Sequence, residues 1–213
     1  MKKLQKWLPG FLIFAVLLVS MLGGAAFGKY IYSEKLGGKV TITANLGSID
    51  IWESKAIRDQ SGAYTLDESQ RVKKNSYDLL PGLDIPKDPY VAVDKASAIP
   101  VYVFVEVVSK LGGSAVSFEV DTENWIKISA SENNGVHGGT VYVYTGGGAT
   151  AKAIENESFT ACILKGNQVT VGQELLHGTP VNLGLDFYAC MGEVAAGKSG
   201  GTIDLEAVYN NAK

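Results

Sequence analysis

The octapeptide VYVFVEVV, Val101 to Val108, is rich in apolar residues at both of its alternating sets of positions. In an extended chain successive side chains point to opposite faces. Val101, Val103, Val105 and Val107 therefore line one face, and Tyr102, Phe104, Glu106 and Val108 the other. A β-branched and aromatic strand of this kind has to sit inside a sheet covered on both sides. The neighbouring sequence supplies suitable partners with period two. "KVTITANLGSIDIWES" alternates Val40, Ile42, Ala44 and Leu46 with Thr41, Thr43 and Asn45, and Tyr90–Val93 leads into the central strand across a Lys-Ala-Ser turn.

Further strands are expected at "AVSFEV", "WIKIS", "TVYVY", "SFTACIL", "QVTV", "VNLGLDFYACM" and "TIDLEAVY", parted by turns such as "NNGVHGG", "TGGG", "KGN" and "AAGKSGG". Many short, closely spaced strands with little helix predict an all-β fold, a jelly-roll-like β-sandwich. No internal repeat and no dividing linker interrupts residues 27–213, which read as one domain. The polar stretch "KAIRDQSGAYTLDESQRVKKNSYD" lacks apolar periodicity and is expected to be a long loop or an insertion with at most a short helix.

Directly before Tyr90 stands "LLPGLDIPKDP". Pro81-Gly82 suits a tight turn, with proline fixing φ and glycine free to take φ > 0. Pro86 and Pro89 withhold N–H groups, so Asp84 to Pro89 can lie beside a sheet only as an edge or a bulge. Asp84 and Asp88 lack the alternating acidic run of a calcium loop and read instead as turn carboxylates that accept backbone N–H groups.

The N-terminus has the pattern of an export signal. "MKKLQKW" is basic, "FLIFAVLLVSML" is apolar, and Gly24 and Ala26 occupy the −3 and −1 places of a cleavage site after Ala26. The uncharged run from Trp7 to Phe27 is also long enough to serve as an uncleaved anchor. Either way residues 27–213 are expected outside the cytoplasm, touching a membrane only through the signal segment. Without Lys2, Lys3 and Lys6 the chain keeps 16 Lys+Arg against 22 Asp+Glu, a net charge of −6, which offers nucleic acid no electrostatic footprint.

The two cysteines, Cys162 and Cys190, can pair in an oxidising compartment or pack as reduced core residues, and both readings stand. Motifs for catalysis are absent: His137 and His177 sit beside glycines in apparent turns, without zinc-ligand spacing, and no nucleophile elbow occurs. No cofactor or metal is expected. The glycine runs around "GGTVYVYTGGG" open no helix, as a phosphate loop would, and read as hairpin turns. Tyr142 and Tyr144 share a face and are expected to pack within the sheet or to form a ligand face.

The order of "GKYIYSEK", "LLPGLDIPKDPYVAV", "VYVFVEV", "NWIKIS", "GTVYVYTGG", "SFTACILKGNQVTV" and "LGLDFYACMGE" resembles the secreted TasA/camelysin-like proteins of Gram-positive bacteria, with their SipW-type signal peptides. The resemblance implies a jelly-roll sandwich that polymerises into fibres of the biofilm matrix, with accessory matrix proteins as further partners. It also implies that an N-terminal strand of one subunit, here carrying Val40, Ile42 and Ala44, fills a groove of the next. The metallopeptidase activity attached to camelysin finds no zinc-ligand spacing here. The expected function is therefore a non-enzymatic, self-associating structural protein of the cell surface, the alternatives being a monomeric surface-binding module and, further off, a camelysin-type peptidase.

Overall fold

The computed structural model describes residues 47–111, 115–174, 184–199 and 201–213. All lie in the second, Leu36–Lys213, of the two units into which the chain divides. Gly24, Ala26, Val40, Ile42, Ala44 and His177 fall outside the described residues.

The chain runs through β1 (Ser48–Arg58), β2 (Tyr64–Val72), β3 (Ile85–Pro86), β4 (Tyr90–Lys95), β5 (Val101–Ser109), β6 (Val116–Ser117) and β7 (Trp125–Lys127). It continues through β8 (Thr140–Tyr144), β9 (Phe159–Cys162), β10 (Gln168–Val171), β11 (Leu185–Glu193), β12 (Lys198–Ser199), β13 (Thr202–Ile203) and the helix α1 (Leu205–Asn211). Two antiparallel four-stranded sheets, ordered β2-β1-β4-β9 and β11-β5-β8-β7, enclose one core. Val91 and Val93 enter it from β4, and Val101, Val103, Val105 and Val107 from β5. Trp125 is fully buried there, its indole N–H donating to the Cys162 carbonyl at 2.8 Å. Tyr144 belongs to the same core, stacked on Phe159, with Tyr142 half-buried against it. These tyrosines pack inward and do not form an open ligand face.

The other face of β5 is covered as well. Tyr102 and Phe104 join Val141, Val143 and Cys190 beneath α1. The "TIDLEAVY" segment, expected as a strand, is mostly this helix. Leu205, Val208, Tyr209 and Ala212 recur at helical spacing and pack on the sheet, while the Asp204 side chain accepts the Ala207 N–H as an N-cap. The helix lies very close to β11. A Cβ at Gly192 would stand 2.6 Å from Val208 Cγ1 and 2.9 Å from the Val208 carbonyl oxygen. Gly192→Ala is therefore expected to push α1 outward and cost about 1–3 kcal/mol, read as a lower urea midpoint.

The polar stretch after Ser54 is likewise mostly not a loop, since apart from one tight turn only residues 73–78 lie outside strands. Its first residues finish β1, which turns at Asp59–Gly62 and returns as β2, so the segment is a hairpin. Its sequence hides this because β2 is an edge strand with mostly exposed side chains, held by main-chain pairing. The ladder slips between Ser54↔Arg71 and Lys55↔Asp67, looping out Glu68 to Gln70.

A third small sheet, β3-β10-β6, closes one end over Leu111, Val116, Leu164 and Val171. Leu80-Pro81-Gly82-Leu83 forms a tight turn, with Gly82 at φ 73° and Leu83 N–H donating to the Leu80 carbonyl. Gly82→Ala places a β-carbon in the left-handed region, costing about 1–2 kcal/mol in thermal or urea unfolding. Pro86 ends the edge strand β3, where its missing N–H costs no ladder bond. The Pro89 carbonyl accepts Ile163 N–H just before β4 begins.

The two cysteines are free thiols, so the disulfide reading does not hold. Cys162 sits on β9 of the first sheet and Cys190 on β11 beneath α1, on the far side of the second. Burial pushes both thiols up to about 12.

Candidate functional site

Most buried charge in the described residues gathers in two places. The first is Glu106, which β5 carries into the layer beneath α1 at 2 % exposure. Its neighbours across the ladder are Tyr188 on β11 and Val141 on β8. The loop between β7 and β8 folds over its carboxyl group. Oε1 accepts the backbone N–H groups of His137 at 2.7 Å and Gly139 at 2.8 Å. Oε2 accepts the Tyr209 hydroxyl at 3.0 Å and lies 2.8 Å from His137 Nδ1. The Tyr209 oxygen in turn accepts Val136 N–H at 3.3 Å.

The glycines of "NNGVHGG" make this wrapping feasible. A Cβ on Gly135 would come within 2.2 Å of the Glu106 carboxyl group, and one on Gly139 within 2.5 Å of the Val107 carbonyl oxygen. Gly139→Ala is expected to shift the loop off the carboxylate and lower the urea midpoint, because the clash is with backbone and has no flexible side chain to relieve it.

Burial drives the Glu106 pKa up, but the hydrogen bonds from Gly139, His137 and Tyr209 outweigh it and hold the group below its ordinary value. Burial, reinforced by the Glu106 charge, raises the Tyr209 phenol. His137 is exposed in a turn, as its neighbouring glycines suggest, and its ring is stacked on Tyr188 with centroids 3.7 Å apart and planes 6° from parallel.

A carboxylate holding an imidazole is half of a nucleophilic relay, so this pair is the natural place to look for catalysis. The hydrogen bonds described for His137 all go to Glu106, and no serine, threonine or cysteine completes a relay among the described residues. What the arrangement does accomplish is mechanical. One carboxylate ties together β5, the loop at residues 136–139 and α1.

The second place is the junction of β1 with the segment before β4. Lys87 Nζ lies 2.9 and 3.2 Å from the Glu53 oxygens, and Asn75 N–H also donates to Glu53. Asp88 accepts Ser54 N–H at 2.9 Å and its hydroxyl at 2.6 Å, while Asp84 accepts Val171 N–H at 3.2 Å. The Asn75 side chain bridges Ser54 C=O and Ala56 N–H where the β1–β2 ladder slips. Asp84 and Asp88 thus face separate backbone donors. Among the described residues no group of three or more His, Cys, Asp or Glu side chains is arranged to hold a metal ion.

No protein-family model, curated protein or solved structure matches the chain.

Proposed function

We propose that the chain is a secreted, non-enzymatic structural protein that self-associates by strand addition, on a jelly-roll-like sandwich. The observation that carries this reading is the edge strand β11. Its nine residues hold unbroken register with β5, and among the described residues β5 is its one ladder partner. Leu185, Phe187 and Ala189 on it are only partly buried against the inter-sheet core. A long regular edge beside apolar side chains is what an added strand needs, because its main chain supplies hydrogen bonds and its alternate side chains fill the adjoining groove. The edge strand β2 of the other sheet suits this less well, being exposed, charged and broken in register. The period-two segment with Val40, Ile42 and Ala44 has the composition of the donor. The export-signal pattern is what supports secretion. Among the described residues no helix is long and apolar enough to cross a membrane.

Electron microscopy and sedimentation of protein beginning after Ala26 test the proposal. Filaments are expected, with loss of filaments but retention of the folded sandwich when residues through Ala44 are removed. A protein that stays monomeric at every concentration and pH would refute it.

A further inference from the structure

We infer that Glu106 is an acid-operated latch: its ionised carboxylate holds the β7–β8 loop and α1 on the second sheet, and its protonation releases them while the sandwich persists. The case rests on which contacts pass through one group. Both N–H groups at the loop's glycine-rich tip, the His137 ring and the Tyr209 hydroxyl converge on the two oxygens of Glu106. Beyond them α1 is joined to the sheet by apolar packing, and it is only seven residues long. The inter-sheet core around Trp125 lies on the other face of β5 and shares none of these bonds. Loss of the latch therefore removes polar contacts from one layer and leaves the other intact, the usual condition for sub-global opening.

The groups facing Glu106 determine when it opens. His137 comes from the loop, Tyr209 from α1 with Lys213 Nζ 4.8 Å from its ring, and Tyr188 and Cys190 from β11. Asp186, further along β11, is paired with Lys110. Once Glu106 itself is protonated, its carboxyl turns from an acceptor of every one of these bonds into a group that must also donate, and the arrangement fails. Because these bonds hold the folded-state pKa below the ordinary 4.5, the latch is fully formed above that value and opens as pH falls through the lower one.

Cys190 reports the event directly. It is 9 % exposed beneath α1, whereas Cys162 lies in the other sheet and provides an internal control. Labelling of the full chain with a dipyridyl disulfide, which reacts in acid, is followed by peptide mass spectrometry. In the wild type the Cys190-to-Cys162 labelling ratio is expected to stay level from neutral pH to the ordinary carboxylate range and then rise roughly tenfold or more. In Glu106→Gln the ratio is expected to be high already at neutral pH and nearly independent of pH. Tyr209→Phe keeps the carboxylate and loses one bond, so it should open at higher pH than the wild type while remaining folded. The inference is overturned if both cysteines become reactive together in the wild type. It is equally overturned if Cys190 stays protected until the sandwich unfolds, or if Tyr209→Phe opens where the wild type does.

Discussion

Glu106→Ala is expected to cost about 3–5 kcal/mol at neutral pH. The methyl group leaves the buried Gly139 N–H group and Tyr209 hydroxyl, and the part-buried His137 N–H group, without their acceptor. Each unsatisfied buried donor costs about 1–3 kcal/mol, and a cavity the size of the lost carboxyl adds to that. Glu106→Gln keeps the shape and one acceptor oxygen but points an NH2 group at a donor, so it should fall between the wild type and alanine. His137→Ala removes one side-chain contact to the carboxylate and leaves the backbone donors in place, for a loss of about 1.5–3 kcal/mol. Urea titrations at neutral pH and again below pH 4.5 separate these terms. The folded-state pKa of Glu106 is depressed, so its contribution is present above the unfolded value and fades as pH falls. The gap between wild type and Glu106→Gln should therefore narrow in acid. A gap that is constant with pH would mean that the carboxylate's charge plays no part.

Little of this site can be read from the sequence, and the reason is distance along the chain. Glu106 in an apolar run signals that a buried charge needs partners, but His137 is 31 residues away and Tyr209 is 103. "NNGVHGG" is legible as a turn because glycine and asparagine favour it. That its glycines clear space for a carboxylate is a property of packing, which composition does not encode. The strands were legible where burial imposes a period, as in Val101–Ser109, whose alternation maps onto two separate cores. Where burial is weak the signal vanishes, and β2 is invisible because its side chains face water. At the C-terminus two periods coexist. Ile203, Leu205, Ala207 and Tyr209 alternate like a strand, while Leu205, Val208, Tyr209 and Ala212 follow a helix. The Asp204 cap and the close approach at Gly192 decide for the helix.

Lys87→Met should cost about 3–5 kcal/mol, although the residue removed is a lysine at a position that looks like surface in the sequence. In the folded protein the Lys87 and Glu53 side chains are only 11 % and 9 % exposed, and the ammonium lies 5.7–5.8 Å from the centroids of Tyr77 and Phe187. Removing the cation leaves a buried carboxylate with the Asn75 N–H as its remaining neighbour, a longer contact at 3.3 Å. The penalty is mostly that of the abandoned charge, since an intact buried pair recovers little more than its own desolvation. Lys87→Met combined with Glu53→Leu should therefore regain most of the loss and come within about 1–2 kcal/mol of the wild type, the remainder coming from the orphaned Asn75 donor. Lys165→Met, which breaks the solvent-facing pair with Glu119, should leave the urea midpoint unchanged and serves as the control. If the double variant is instead as unstable as the sum of its single changes, the two groups are uncoupled. The segment before β4 would then be held by Asp88 on the Ser54 backbone and by Pro89, and the ion pair would be incidental to it.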